Sequence, residues 1–141
     1  ELMGKGINFS EIIEKTYFQT TYVQNQILGR ALLESILVLD NKCIISGVRK
    51  KEMEFYNITP MDLEGIVSQL RNTKGVEAAI FLYEMGNQEY RVSMRSNGAV
   101  DVQKVASYFG GGGHVRAAGC TMQGSFYDVI NNLTLHIEEQ M

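Results

Sequence analysis

Long apolar runs are missing from these 141 residues: the longest, "SILVL" and "AAIFLY", fall far short of the ~20 residues that a membrane span requires. No basic-then-apolar signal segment opens the chain, so a cytoplasmic location is the expectation. Cysteine is scarce as well. Cys43 and Cys120 have no second Cys or His at zinc-ligand spacing, which leaves a disulfide framework and a structural zinc site unsupported and makes both of them plain buried thiols. Positive charge is not in excess, because 13 Lys and Arg stand against 16 Asp and Glu for a net charge of −3. The chain is therefore no broadly basic coater of DNA or RNA, and any phosphate binding must be local. An initiating methionine is absent too, and Glu1 reads as the start of a truncated or processed piece.

What is present has the composition of a folded domain, 45% hydrophobic and 21% charged, at a length that buries roughly 70% of the surface an unfolded chain exposes. The opening "NFSEIIEKTYFQTTYVQNQILGRALLESI" reads as two helices broken near "TT", with Ser10 as an N-cap and Val23, Ile27, Leu28 and Ala31 as an apolar stripe. "SILVLD" and "KCIISGV" read as an antiparallel pair turning at Asp40-Asn41. "ITPMDLEGIVSQLRNTKG" reads as one helix, with Thr59 as N-cap, Pro60 in first position, Asp62 completing the cap and Gly75 beyond the end. Its inward face is Leu63, Ile66, Val67 and Leu70.

Two strands follow, "VEAAIFLYEM", apolar enough for burial on both faces, and "QEYRVSMRS", joined by a turn at Gly86-Asn87. In the second, Tyr90, Val92 and Met94 share one face, which sends Arg91, Ser93 and Arg95 to the other. Asp101 caps a short helix, "VQKVASYF", with Val102, Val105, Ala106 and Phe109 at helical spacing. "GCTMQG" supplies a last strand, and "SFYDVINNLTLHIEEQM" is an amphipathic helix with Ser125 and Asp128 in capping-box positions. The sum is an α/β fold, a mixed and largely antiparallel sheet flanked by helices, with an N-terminal helical linker.

"YFGGGGHVRAAGC" stands out. Gly110 serves as a left-handed helix cap after Phe109, but four glycines exceed that need. Further glycines offer unusual backbone angles or close approach to the main chain, and a curled run of N–H groups makes an anion-sized nest, to which one helical turn in "HVRAA" would add its dipole. A flexible linker is the competing reading of the glycines. His114 as a donor, Arg116 as a cation and the small Ala117-Ala118 surface, where a nucleotide would fit, favour a binding site. Neither the P-loop pattern nor GxGxxG fits, since no lysine follows the run and Arg116 stands where the last glycine belongs.

The stretch "RVSMRSNGAVDVQKVASYFGGGGHVRAAGC" resembles the signature of the DHH-associated C-terminal domain of the DHH phosphoesterases, over about residues 30–141. This family includes RecJ-type nucleases, short-oligoribonuclease/pAp phosphatases and cyclic-di-AMP phosphodiesterases. The resemblance implies a substrate-binding loop of Gly111, Gly112, Gly113 and His114, with Arg95 of the S-x-R-S strand end on a phosphate. Arg95 in a surface ion pair is the alternative, and Arg116, at a variable motif position, is equally well read as solvent-facing. His136 is read as a surface residue. The family's two divalent ions, usually manganese, sit on Asp and His side chains of a preceding DHH domain. This chain has no Asp-His-His triplet and only His114 and His136, so no catalytic residue and no metal ligand are assigned to it.

Residues 1–36 are accordingly expected to be a helical linker or the end of the DHH domain, and residues 37–141 the substrate-binding domain. The implied partners are a short RNA or DNA oligonucleotide or a nucleotide phosphate, and the DHH domain of the same chain. The expected function is hydrolysis of short oligonucleotides, pAp or linear or cyclic di-adenylate by the intact enzyme, the fragment itself being inactive. The alternatives are a non-catalytic nucleic-acid-binding module like the C-terminal domain of alanyl-tRNA synthetases, and dimerisation through the N-terminal helices.

Overall fold

The computed structural model describes residues 19–141. Helix α1 (Tyr22–Leu33) begins at Thr21, whose hydroxyl accepts the Gln24 N–H at 3.1 Å while the Thr21 N–H donates back to Gln24 Oε1 at 3.1 Å. This reciprocal cap satisfies donors that a helix start leaves unpaired. The first of the two expected helices, with Ser10 as its cap, lies outside the described residues.

Strands β1 (Ile36–Val38) and β2 (Cys43–Val48) pair antiparallel through a turn in which Leu39, Asp40 and Asn41 all take positive φ. A helix that the sequence did not announce follows, α2 (Lys50–Tyr56). Only Met53 of it is buried, so it has no repeating apolar stripe to read. The single helix expected over "ITPMDLEGIVSQL" is two pieces, a 3-10 turn (Pro60–Leu63) and helix α3 (Ile66–Arg71). Glu64 is extended and Gly65 sits at φ +88°, and the break still leaves Leu63, Ile66, Val67 and Leu70 buried.

Strands β3 (Ala78–Gly86) and β4 (Glu89–Ser96) form the long central hairpin, with Asn87 and Gln88 in its turn, one residue later than expected. Helix α4 (Val102–Tyr108) is capped by Asp101, which accepts the Lys104 N–H at 3.0 Å. Then come β5 (Gly112–His114), β6 (Ala117–Gln123) and α5 (Phe126–Glu138), the last opened by Ser125 accepting the Asp128 N–H at 3.1 Å. The sheet order is β1-β2-β3-β4-β6-β5, antiparallel except for β2 and β3, which run parallel across the α2–α3 crossover. Among the described residues no helix is long and apolar enough to cross a membrane.

Each sheet face carries its own apolar cluster. On one face α4 and α5 cover β2, β3, β4 and β6 through Val105, Ala106, Leu133 and Ile137, packed on Ile80, Val92, Met94 and Cys120. On the other, α1, α2 and α3 cover only β2 and β3, through Ile27, Ala31, Met53, Ile66 and Leu70 on Ile44, Val48, Ala79 and Phe81. Full burial of each Val, Leu, Ile, Met or Phe among them is worth ~1.5–3 kcal/mol, so both layers contribute to holding the sheet. His136 is not the surface residue expected of it: its ring stacks on Tyr108 at 4.2 Å and meets Phe109 edge-on at 5.4 Å, fastening α5 to α4. The apolar part of the second layer stops at β3, and α3 reaches on to touch β4. Among the described residues no helix of this layer packs on the same face of β6 and β5.

Candidate phosphate-binding trough

The glycine run divides into a helix cap and an edge strand. Phe109 ends α4, and Gly110 follows at φ +77° with its N–H on the Ser107 carbonyl at 3.2 Å. The Gly111 N–H reaches the Ala106 carbonyl at 2.9 Å, which completes the two-bond closure of a Schellman cap. Both donors are spent on the helix, so the run does not curl into the anion nest expected of it. Nor does "HVRAA" make a helical turn. His114 ends β5, Val115 and Arg116 turn, and Ala117 opens β6.

A Cβ on Gly111 would fall on the Gly119 carbonyl oxygen and 2.6 Å from the Cys120 Cβ. One on Gly113, at φ +142°, would lie 2.6 Å from both the Ala117 oxygen and the Ala118 Cα. Fold alone therefore requires glycine at 110, 111 and 113. Gly112 is different: its φ is not positive, and a Cβ there meets nothing within 4 Å. It is the one glycine of the run that the fold does not need.

Cross-strand pairing places the remaining residues. Arg95 opposes Ala117, which opposes His114, and Ser93 opposes Gly119, which opposes Gly112. Directly opposed residues share a sheet face, and strands lie ~4.8 Å apart, so Arg95 and His114 stand about 10 Å apart with only the Ala117 methyl between them. The floor of this trough is Ala117, Gly119 and Gly112. Arg91 lies over it, its Nη2 2.9 Å from where a Gly119 Cβ would be.

Arg95 is half-buried and donates from Nη1 to the Met94 carbonyl at 2.9 Å. Burial first, and then the charge of Arg71 at the end of α3, hold its guanidinium below the ordinary arginine value. It still stays cationic at neutral pH. Arg71 is held there by Asn97, whose side chain donates to the Arg71 and Val76 carbonyls at 3.1 and 2.7 Å. Buried Ser96 fixes the loop between, its Oγ accepting the Gly98 N–H at 3.0 Å. Among the described residues, Arg71, Arg91, Arg95 and Arg116 make no ion pair with a carboxylate. Among these residues, then, the surface ion pair that was the alternative for Arg95 is not formed.

Comparison with known proteins gives the arrangement a family. The family model described as "DHHA1 domain" matches residues 40–141. The chain belongs to the DHHA1 domain family. The "Bifunctional oligoribonuclease and PAP phosphatase NrnA" of Thermus thermophilus is 29% identical to it over 129 residues, 88% of this chain and 36% of that protein. The crystal structure of an exopolyphosphatase-related protein from Bacteroides fragilis superposes with a TM-score of 0.87 at 25% identity, over 97% of this chain and 40% of the other. The C-Ala domain of Aquifex aeolicus alanyl-tRNA synthetase shares the fold, with a TM-score of 0.53 at 15% identity over 74% of this chain and 97% of its own. This DHHA1 domain therefore spans well under half the length of the phosphatase relatives it matches, a family of hydrolases.

Within the DHHA1 domain, Arg95, Gly112, His114 and Ala117 share one sheet face, and Gly111 and Gly113 set the strand that carries Gly112 and His114. Ala118 does not join them. It alternates to the opposite side and is buried in the core cluster against α4, so it lines no nucleotide surface. Arg116 is exposed in the β5–β6 turn, its Nη2 3.6 Å from where a Gly98 Cβ would be. Arg91 is the residue that sequence reasoning left out, although the alternation of β4 had put it on the same face as Arg95. Among the described residues no three His, Cys, Asp or Glu side chains gather to hold a metal ion.

Proposed function

We propose that this domain grips the phosphate end of a short nucleotide substrate for a DHH-type phosphoesterase. The substrate class is short oligonucleotides and nucleotide phosphates such as pAp or linear and cyclic di-adenylate. One observation carries the reading: Arg95 and Arg71 are brought together, partly out of water and with no carboxylate among the described residues paired to either, beside a floor of glycine and alanine. Like charges placed so are relieved by an anion. Arg95 supplies a permanent cation, His114 a hydrogen-bond donor from across Ala117, and Gly112 leaves the ligand room. Hydrolysis is assigned to a manganese pair on a DHH domain outside these residues, and a cytoplasmic location goes with it. The name and similarity of the Thermus relative support the substrate class.

A non-catalytic nucleic-acid module has the shared C-Ala fold in its favour and the net charge of −3 against it. Calorimetric titration of pAp and of tRNA into the chain separates the two readings. Expected are pAp binding that weakens with salt and a ten- to hundredfold loss in Arg95→Ala, the ~1.5–3 kcal/mol of a charge-assisted hydrogen bond. Unchanged affinity in both Arg95→Ala and His114→Ala places the substrate elsewhere.

A further inference from the structure

The trough opens at its Arg91 end into a cleft of about 270 Å³ that the phosphate reading does not use. Its walls are Pro60, Met61 and Leu63 of the 3-10 turn on one side and Phe81 and Tyr83 of β3 on the other, with the Glu64 carboxylate at one edge and Arg91 and Ser93 common to cleft and trough. Met61 is 75% exposed, a long thioether side chain held at the rim where burial does not explain it. A slot with apolar walls, an aromatic ring and a few polar groups at its edges is the usual form of a small-ligand site. Thioether and aromatic walls suit a flat π-system, and the Arg91 guanidinium lining the same cleft supplies a cation for it to stack on.

Position along the strand decides what fills it. The cleft lies by Arg91 and the phosphate cations lie by Arg95, four residues along β4 and so about 13 Å apart. No single phosphate ion bridges that span, but a nucleotide lying along β4 does, with its phosphate at one end and its base at the other. We propose that this cleft is a nucleobase subsite, walled by Met61 and Tyr83 and edged by Arg91, which orients the substrate along β4. The proposal rests on the phosphate reading of Arg95.

The test uses the chain with methionine methyl groups labelled for NMR, titrated with adenosine 5′-monophosphate and, separately, with ribose 5-phosphate. The Met61 methyl, assigned from Met61→Ala, is expected to move upfield under the ring current of the base and to stay still with ribose 5-phosphate. The nucleotide should bind at least about tenfold tighter than the sugar phosphate, and Met61→Ala should remove about three- to tenfold of that without touching ribose 5-phosphate binding. Because Met61 is exposed, the variant folds as the parent does. Arg95→Ala should weaken both ligands alike. Equal affinities with a static Met61 methyl overturn the base subsite and leave the phosphate site standing. Indifference of both ligands to Arg95→Ala, or no binding of either, overturns the phosphate site and the subsite with it.

Discussion

Replacing Gly112 by valine separates the trough from the fold that carries it. The residue lies on edge strand β5 without positive φ, exposed, and with no atom within 4 Å of a Cβ placed there. Valine is a better strand former than glycine, and removing the excess backbone freedom of glycine is worth ~0.5–1 kcal/mol. Thermal unfolding should stay put or rise by about 2–5 °C. The two new methyl groups stand beside Gly119 on the floor between Arg95 and His114, so the ligand loses the room that Gly112 leaves. Affinity for pAp should fall at least about tenfold. Gly113→Val is the control, because a Cβ there meets the Ala117 oxygen and Ala118 Cα at 2.6 Å in a left-handed conformation and should cost ~2–4 kcal/mol of stability. Circular dichroism melts and calorimetry on both variants settle the matter. Full affinity in Gly112→Val, or a melt as low as that of Gly113→Val, refutes the division of the glycines argued above.

Gly119→Ala should push Arg91 off the floor and press on the Val92 carbonyl, 2.8 Å from the new Cβ, for ~1–3 kcal/mol of destabilisation seen in urea melts. A parent-like crystal structure with Arg91 unmoved would contradict it. Burial pushes the Cys43 thiol from 9.0 up to about 12, so the folded state holds this proton more tightly than the unfolded chain. Stability should be complete below pH 9 and fall as pH rises from 9 towards 12, by ~1.4 kcal/mol per pH unit from this group, and the slope of urea midpoints above pH 9 should flatten in Cys43→Ala. Incubated with pAp, di-adenylate and short RNA in manganese buffer, the isolated chain should leave all of them intact. Metal-dependent turnover by a clean preparation would show that a metal centre exists here after all.

Period-two alternation exposed β4 to a reader of the sequence, because Tyr90, Val92 and Met94 are buried and Arg91, Ser93 and Arg95 are not, and a strand states that pattern locally. Asp101 and Ser125 act as helix caps through bonds to a residue three positions on, equally local. The glycine run was misread in shape because its reasons are remote. Gly111 is fixed by Gly119 and Cys120 on a neighbouring strand, and nothing within "GGGGH" reports that. Arg91 escaped notice for the same cause, since what singles it out is the bare Gly119 that β4–β6 pairing brings beside it. The break at Gly65 shows the converse limit. The helix signals around Thr59 and Pro60 were real, and a single left-handed glycine let the chain change direction without exposing Leu63 or Ile66.

Helix α4 also binds the strand that leads away from it. Besides the two carbonyls that receive Gly110 and Gly111, the Gln103 amide holds the Gly113 oxygen at 2.9 Å, and the Val102 N–H holds the Val115 oxygen at 2.9 Å. Four tethers within six residues leave this glycine-rich stretch little freedom to lose later. Its disorder is surrendered once, during folding, and a ligand that docks has no loop to organise. Nucleotide capture at the trough should accordingly show a single concentration-dependent phase in stopped flow, without the slow second step that an ordering loop imposes.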